Sequence, residues 1–414
     1  MKVLVIGGIS HSFVNFRGPL LQAMGARGHE VWACAGEPRN DVTETLRRWG
    51  VRFVPIDLSR AGMRPWEDVR TVRQLLHLMR EVRPDVVLGY TIKPVIYGGF
   101  AARLANVPSV YSLITGLGYT FVRDNGFRGR MAGVCAALLY RMTLRNSRKV
   151  VFQNPDDMRE FVSRHLAQER QCMFVNGSGV DLSHFACADL PPAPRFLMAC
   201  RLLVGKGVRE YAAAARQVAS SFPDHLEPGP SAPRFALAGA LDSNPSSISR
   251  AELEEWQSEG VLEYLGELSD VRPAYRNCSV FVLPSFYREG VPRTILEAMA
   301  MGRPIITTDT PGCRETVRRT CDGASLMEQQ GELAREHSEQ PVPLQNRGRG
   351  RGLKLGANGI LVPAKNTEAL AEAMQFFIDN PEEIAVMGSE SLRYAEERYD
   401  VHKVNAVMLE AMEL

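Results

Sequence analysis

Glu289 and Glu297 stand eight residues apart in "YREGVPRTILEAMAMGRP", behind an aliphatic run, "CSVFVLPS", that reads as a buried strand. A helix from Val291 would set Pro292 in its first turn, where a missing N–H costs nothing. Glu289 would then lie beside the helix N-terminus, with the amides of Gly290 and Val291 unpaired and pointing outward. Such a terminus attracts anions. A carboxylate on each side of an anion site suits a ligand with phosphates at its centre and hydroxyls at both ends. Taken alone, Glu297 reads more readily as an ordinary helix carboxylate.

A second basic centre lies in "ACRLLVGKGV", where Arg201 and Lys206 follow a strand and precede a helix. Two cations among glycines at a strand's C-terminal end suit a diphosphate, Arg as a fork and Lys as a point charge. They read equally as solvated loop cations until Glu289 is considered with them. Gly7 and Gly8 in "IGGISHSF" end the first strand and allow close backbone approach to a phosphate. The spacing is not GxGxxG, so a dinucleotide is weakly indicated, and Glu37 is thin support for a ribose contact. His11 in this loop, Lys93 in "TIKP" and Tyr119 in "TGLGY" also follow predicted strands. Each stands where such sheets bind ligands, and each also reads as a structural loop residue.

Alternating strands and helices must position these groups. "KVLVIG", "HEVWACAG", "VRFVPIDL", "PDVVLGY", "VPSVYSLIT", "SRKVVFQN" and the "QCMF" segment read as strands, most of them separated by helix-length segments. That rhythm implies parallel βαβ units. It restarts after the Pro-rich connector "DLPPAPR" with "RFLMACRL", "PRFALAGA", "GVLEYLG", "CSVFVLPS", "RPIITTD" and "NGILVPA". The expected architecture is α/β, with two facing Rossmann-like doubly wound domains and a cleft at their strand ends. Residues 1–188 read as the first domain and 189–398 as the second. Residues 320–356, rich in Gly, Gln and charge, read as a flexible insertion. Residues 399–414 read as a terminal helix able to cross back onto the first domain.

The 414 residues are 45% hydrophobic, with a formal net charge of +2, which argues against bulk nucleic-acid binding. Eight cysteines lie scattered singly, without metal-ligand spacing, so neither a disulfide framework nor a zinc site is expected. "MKVLVIGG" runs straight into a strand, and no apolar run approaches the ~20 residues of a membrane span. A cytoplasmic protein is expected, with peripheral membrane contact left open.

"CRLLVGKG", "PSFYREGVPRTILEAMAMGRPIITTDTPGCRET" and "NGILVP" together resemble the retaining glycosyltransferases of family 4, which have the GT-B fold. The resemblance covers nearly the whole chain. Cys200 departs from it, standing where the family usually has Gly. "GYTIKPVIYGGFAARLANVPSVYSLITGLGY" with "LDSNPSSIS" is similar to a bacterial branch that includes the N-acetylgalactosaminyltransferases of protein glycosylation and capsule enzymes. That branch usually acts on undecaprenyl-diphosphate-linked sugars with UDP-sugar donors. The resemblance implies that Arg201 and Lys206 neutralise the donor diphosphate and that Glu289 meets the donor sugar's hydroxyls. It further implies that Gly290 and Val291 give amides to the phosphates, with Gly8 also on the donor, and that Glu297 bonds the ribose. Front-face attack, with the departing phosphate taking the acceptor's proton, is the implied route. No DxD motif is present, so no metal and no cofactor beyond the nucleotide sugar is expected. On this resemblance residues 1–188 would hold the acceptor and residues 189–398 the nucleotide sugar. His11, Lys93 and Tyr119 would be the acceptor-side candidates, with Lys93 able to pair with an acceptor diphosphate.

The segment "RDNGFRGRMAGVCAALLYRMTLRNSRK" carries seven cations against one acid. Met131, Val134, Cys135, Leu138, Leu139 and Met142 recur at helical spacing, as in a helix lying on an anionic membrane surface. A core helix with a solvated basic flank fits the same spacing. Two other functions share a similar scaffold, a UDP-sugar 2-epimerase and a non-catalytic sugar-nucleotide sensor. The Glu-x7-Glu box and the "RLLVGKG" loop argue against the first. Intact Glu289, Arg201 and Lys206 argue against the second.

Overall fold

The computed structural model describes residues 1–58, 65–117, 126–222, 232–242, 244, 246–319 and 352–414. It divides into two compact units. The first comprises 1–181, 288–293 and 398–414, and the second 182–287 and 294–397. The division therefore falls at Asp181/Leu182 rather than at Asp189, and the short stretch around Glu289 clusters with the first unit.

The first unit is built on a sheet of seven described strands: β1 Lys2–Ile9, β2 Glu30–Gly36, β3 Arg52–Pro55, β4 Val86–Tyr90, β5 Ser109–Ile114, β6 Lys149–Phe152 and β7 Cys172–Phe174. Their order is β3-β2-β1-β4-β5-β6-β7, with parallel pairing throughout. The direction of winding reverses between β1 and β4, and ligands of open α/β sheets bind at such a switch point. Alternation along β1 serves both faces. Val3 and Val5 pack with Leu20, Leu21 and Met24 on one side, while Leu4 and Ile6 pack with Leu75, Leu78 and Met79 on the other. Each such side chain contributes about 1.5–3 kcal/mol by burial. β1 does not stop at Gly7. It continues through Gly8 to Ile9, with a register shift against β2 between Ile6 and Ile9. Helix Val401–Ala411 places Val404, Met408 and Leu409 in the same core cluster as Leu20 and Leu21.

The second unit repeats the plan with β8 Arg195–Ala199, β9 Arg234–Ala238, β10 Glu263–Gly266, β11 Val280–Leu283, β12 Ile305–Thr308, β13 Lys354–Leu355 and β14 Gly359–Val362. The order is β10-β9-β8-β11-β12-β14-β13, so its switch point lies between β8 and β11. β13 pairs antiparallel with β14, and Lys354 Nζ bonds Asp309 Oδ2 at 2.6 Å. The C-terminal end of the expected insertion is therefore a paired edge strand. Residues 320–351 of that expectation lie outside the described residues.

Arg303 is fully buried in the second unit, and its hydrogen bonds run to main-chain carbonyls. Its guanidinium donates to the carbonyls of Tyr275 (3.0 Å), Ala188 (2.7 Å) and Asp189 (2.8 Å), and more weakly to Arg276 (3.3 Å). Burial lowers its pKa against the opposing pull of Cys278, Cys187 and Asp189, and the carbonyl dipoles supply its direct contacts. This one side chain fastens the start of the connector to the end of helix Arg272–Arg276.

Candidate active site

Arg201 and Lys206 follow β8 and therefore stand at the second unit's switch point. Arg201 is exposed and makes a long ion pair, 3.4 Å, to Asp242. The loop carrying Asp242 is laced to the Arg201 segment, since Ser247 Oγ donates to the Leu202 carbonyl and Val204 N–H to that of Ser246. Lys206 ends the turn Val204–Lys206 and lies 5.6 Å from the centre of the Tyr287 ring. Here glycine is obligatory. Gly207 has φ of +80°, and a Cβ there would come within 2.2 Å of the Pro284 carbonyl oxygen. The Gly205 carbonyl in turn accepts from the N–H groups of Phe286 (3.0 Å) and Tyr287 (2.9 Å). The ends of β8 and β11 are thus knitted together, and Lys206 is held beside the residue two positions before Glu289.

The helix expected from Val291 begins at Arg293 and runs to Ala300, so Pro292 immediately precedes it, a shift of the size that helix ends commonly show. Glu297 lies on this helix and is buried, and one carboxylate oxygen is 3.1 Å from the Tyr275 hydroxyl. That hydroxyl also reaches the Thr294 carbonyl at 3.0 Å. A buried carboxylate held by a phenol on one oxygen has a fixed orientation.

Glu289 is half-buried, and its main chain is clamped from within the first unit. Asn154, fully buried, donates Nδ2 to the carbonyls of Glu289 (3.1 Å) and Gly290 (3.2 Å) and to Asp157 Oδ2 (3.0 Å). Arg288 pairs with Asp157 at 2.9 Å and with Glu160. A Cβ on Gly290 would fall 2.0 Å from Gln153 Oε1 and 2.8 Å from the Thr115 carbonyl oxygen, so no larger residue fits. Val291 is buried beside it. None of these clamping residues was evident from the sequence. Asn154 before Pro155 carries a visible helix-capping signal, and its Oδ1 does accept from Asp157 N–H at 2.8 Å. Its second role reaches 135 residues along the chain and leaves no local trace.

Burial raises the Asp157 pKa to about 6, against the opposing pull of Arg288. The sign follows directly. A carboxyl raised above its unfolded value takes up its proton more readily in the native state, so its contribution to global stability does not fall on acidification. The Arg288 pair, however, needs the charged form. Turnover is therefore expected to drop as pH falls through about 6, with no accompanying drop in melting temperature. Asp157→Asn should abolish that limb in kcat/KM, and an unchanged limb would detach Asp157 from it.

On the first unit's side, Gly8 lies near the end of β1, where a Cβ would make only ordinary contact with Thr91. His11 is half-buried between β1 and the π-helix Phe13–Arg17. Lys93 is the second residue of helix Ile92–Leu104, with Nζ 3.1 Å from Asp68 Oδ1, the two side chains 12% and 16% exposed. Tyr119 lies outside the described residues. Arg201 and Lys206 share one switch point, while Lys93 is drawn to Asp68. Among the described residues no group of three His, Cys, Asp or Glu side chains is placed to hold a metal ion.

The family model for a glycosyl transferase 4-like domain matches residues 17–177, and that for glycosyl transferases group 1 matches 193–339. The chain is 28% identical over 335 residues to the N,N'-diacetylbacillosaminyl-diphospho-undecaprenol alpha-1,3-N-acetylgalactosaminyltransferase of Campylobacter jejuni, covering 77% of this chain and 84% of that one. It is 27% identical over 271 residues to the UDP-Gal:alpha-D-GlcNAc-diphosphoundecaprenol alpha-1,3-galactosyltransferase of Escherichia coli, covering 62% and 66%. The crystal structure of Anabaena HepE in complex with UDP-glucose superposes with a TM-score of 0.72 at 15% identity, over 100% of this chain and 99% of that one. That last likeness speaks for the fold alone, which is GT-B.

Proposed function

We propose, from the membership of this chain in the glycosyl transferases group 1 family, that it moves a hexose or N-acetylhexosamine with retention from a UDP-sugar to an undecaprenyl-diphosphate-linked glycan. The observation that carries the donor half is the second unit's switch point, where Arg201 and the Lys206 turn follow β8 and are tied to the segment after β11. Departure of UDP develops charge on a phosphate oxygen, and two preorganised cations stabilise that charge more than they stabilise the bound donor. Glu289 acts on the donor sugar's hydroxyls, Gly290 and Val291 on the phosphates, and buried Glu297 on the ribose. The departing phosphate takes the acceptor's proton at the front face. The acceptor half rests on the Campylobacter and E. coli relatives, both named for undecaprenyl-diphosphate substrates.

The test is incubation with a panel of UDP-sugars and an undecaprenyl-diphosphate-linked acceptor in EDTA, followed by analysis of the lipid product. A new α-linked sugar supports the reading. Epimerised UDP-sugar without acceptor would favour the epimerase, and binding without any turnover the sensor. Neither alternative has an observation of its own in its favour.

Work at the inner face of the cytoplasmic membrane belongs to the same proposal. Among the described residues no helix is long and apolar enough to cross a membrane. Helix Gly126–Leu144 has two apolar faces instead of one. Ala136, Tyr140 and Leu144 are buried in the first unit's core, whereas Met131, Val134, Leu138 and Met142 form a stripe of residues 50–56% exposed. Cys135 and Leu139 are half-buried between the two. An exposed apolar stripe of this kind marks an interaction surface, and exposed Arg141 and Arg145 beside it favour an anionic one. Arg148 pairs with Glu413 at 2.7 Å and is less available. Two cations near such a surface contribute about 2 kcal/mol, roughly 30-fold in partitioning. Changing Arg141 and Arg145 together to Gln should reduce sedimentation with anionic vesicles by about that factor at low salt. Equal sedimentation of variant and wild type would reduce the segment to a solvated flank.

A further inference from the structure

Arg17 closes the π-helix Phe13–Arg17 and is only 6% exposed. Its guanidinium lies 5.1 Å over the ring of Tyr90, the last residue of β4. The Tyr90 hydroxyl bonds Ser12 Oγ at 2.6 Å and fills the space a Cβ on Gly7 would need. The cation therefore sits by the carboxyl ends of β1 and β4, at the first unit's own switch point, where a doubly wound sheet takes its ligand. Its surroundings do not balance it. Arg17 Nε is buried without a hydrogen-bond partner, and no carboxylate pairs with the guanidinium among the described residues. A second cation, Arg293, acts on it unfavourably and lies over the Phe16 ring at 5.6 Å. Burial brings the Arg17 pKa down to about 10, so the group remains charged at neutral pH.

A buried cation is normally paired or neutralised, and a π face compensates only part of the lost hydration. A desolvated fork with an unused N–H, a second cation nearby and a place at a switch point together describe half of an ion pair. π-turns also concentrate at functional sites, because they cost backbone geometry that folding alone does not require. We propose that Arg17, assisted by Arg293, is an anion site of the first unit and that it takes the diphosphate of the polyprenyl-linked acceptor, an assignment resting on the reading of a lipid-linked acceptor given above. The donor diphosphate already has Arg201 and Lys206 in the second unit. Lys93, the other acceptor-side cation, already holds Asp68 in a mostly buried pair. Arg17 brings a planar fork, the shape that binds phosphate oxygens in pairs.

The test uses the full chain saturated with UDP, so that the donor site is filled. Inorganic pyrophosphate and farnesyl diphosphate are titrated calorimetrically into wild type, Arg17→Gln and Arg17→Lys. Arg17→Gln should weaken both ligands at least tenfold, with UDP affinity unchanged and no loss of melting temperature, since an unpaired buried charge is removed. Arg17→Lys, which keeps the charge without the fork, should recover part of the affinity and covers the case in which the Gln variant fails to fold. Equal affinities in all three proteins overturn the proposal. An equal loss of UDP affinity overturns it too, by giving Arg17 to the donor. If wild type binds pyrophosphate through Arg17 but does not bind farnesyl diphosphate, the anion site stands and the lipid-linked acceptor falls.

Discussion

Glu289→Gln is expected to lower turnover by at least ~100-fold, about 2.7 kcal/mol in the barrier, while UDP affinity and melting temperature stay at wild-type values. The substitution preserves shape. It leaves intact the main-chain bonds that Asn154 makes to the carbonyls of residues 289 and 290, so the segment keeps its path. What is lost is the negative charge and one acceptor pair on the half-buried side chain. In the proposed reaction that carboxylate engages the donor sugar's hydroxyls as positive charge grows at the anomeric carbon. A contact that strengthens toward the transition state lowers kcat when removed and leaves ground-state affinity nearly unchanged. Lys206→Ala is the useful contrast. It removes a cation that would meet the diphosphate in UDP and UDP-sugar alike, so it should weaken UDP itself. Wild-type turnover in a folded Glu289→Gln protein would remove Glu289 from the site.

The parallel strands of the two sheets were legible in the sequence because most are buried on both faces and read as continuous aliphatic runs. β13 was not, because two residues, Lys354 and Leu355, carry no period. They become a strand only by pairing with Ile360 and Leu361. Arg303 and Arg17 were invisible for a different reason. A charged side chain is expected at the surface, and each is buried through partners that composition cannot reveal: four carbonyls for Arg303, an aromatic face for Arg17. The motifs around Arg201, Lys206, Glu289 and Glu297 could be read because their spacing is local. The side chains that fix them, Asn154, Asp157, Asp242 and Tyr275, lie between 22 and 135 residues away. Long-range contacts of that kind appear only once the sheets have formed. The apolar face of helix Gly126–Leu144 falls between these cases. Its period was visible, but only burial distinguishes the residues facing the core from those facing out.

Asn154 gives the sharpest separation of stability from function. Asn154→Ala removes the cap of helix Pro155–Ser163, a loss of about 1 kcal/mol. It also deprives the Glu289 and Gly290 carbonyls of a donor, at about 1–3 kcal/mol for each one left buried and unpaired. The fold should survive with a lowered melting temperature. Turnover should fall by roughly 100-fold, because a displacement of about 1 Å at a reacting group is enough for a loss of that size. Asn154→Ser divides the two effects. Its hydroxyl oxygen can still accept from the Asp157 N–H and preserve the cap, but it is too short and has too few donors to reach residues 289 and 290. The Ser variant should therefore recover most of the melting temperature and little of the turnover. If it recovers both, the contacts to the 288–290 segment are incidental, and Asn154 is a helix cap and nothing more.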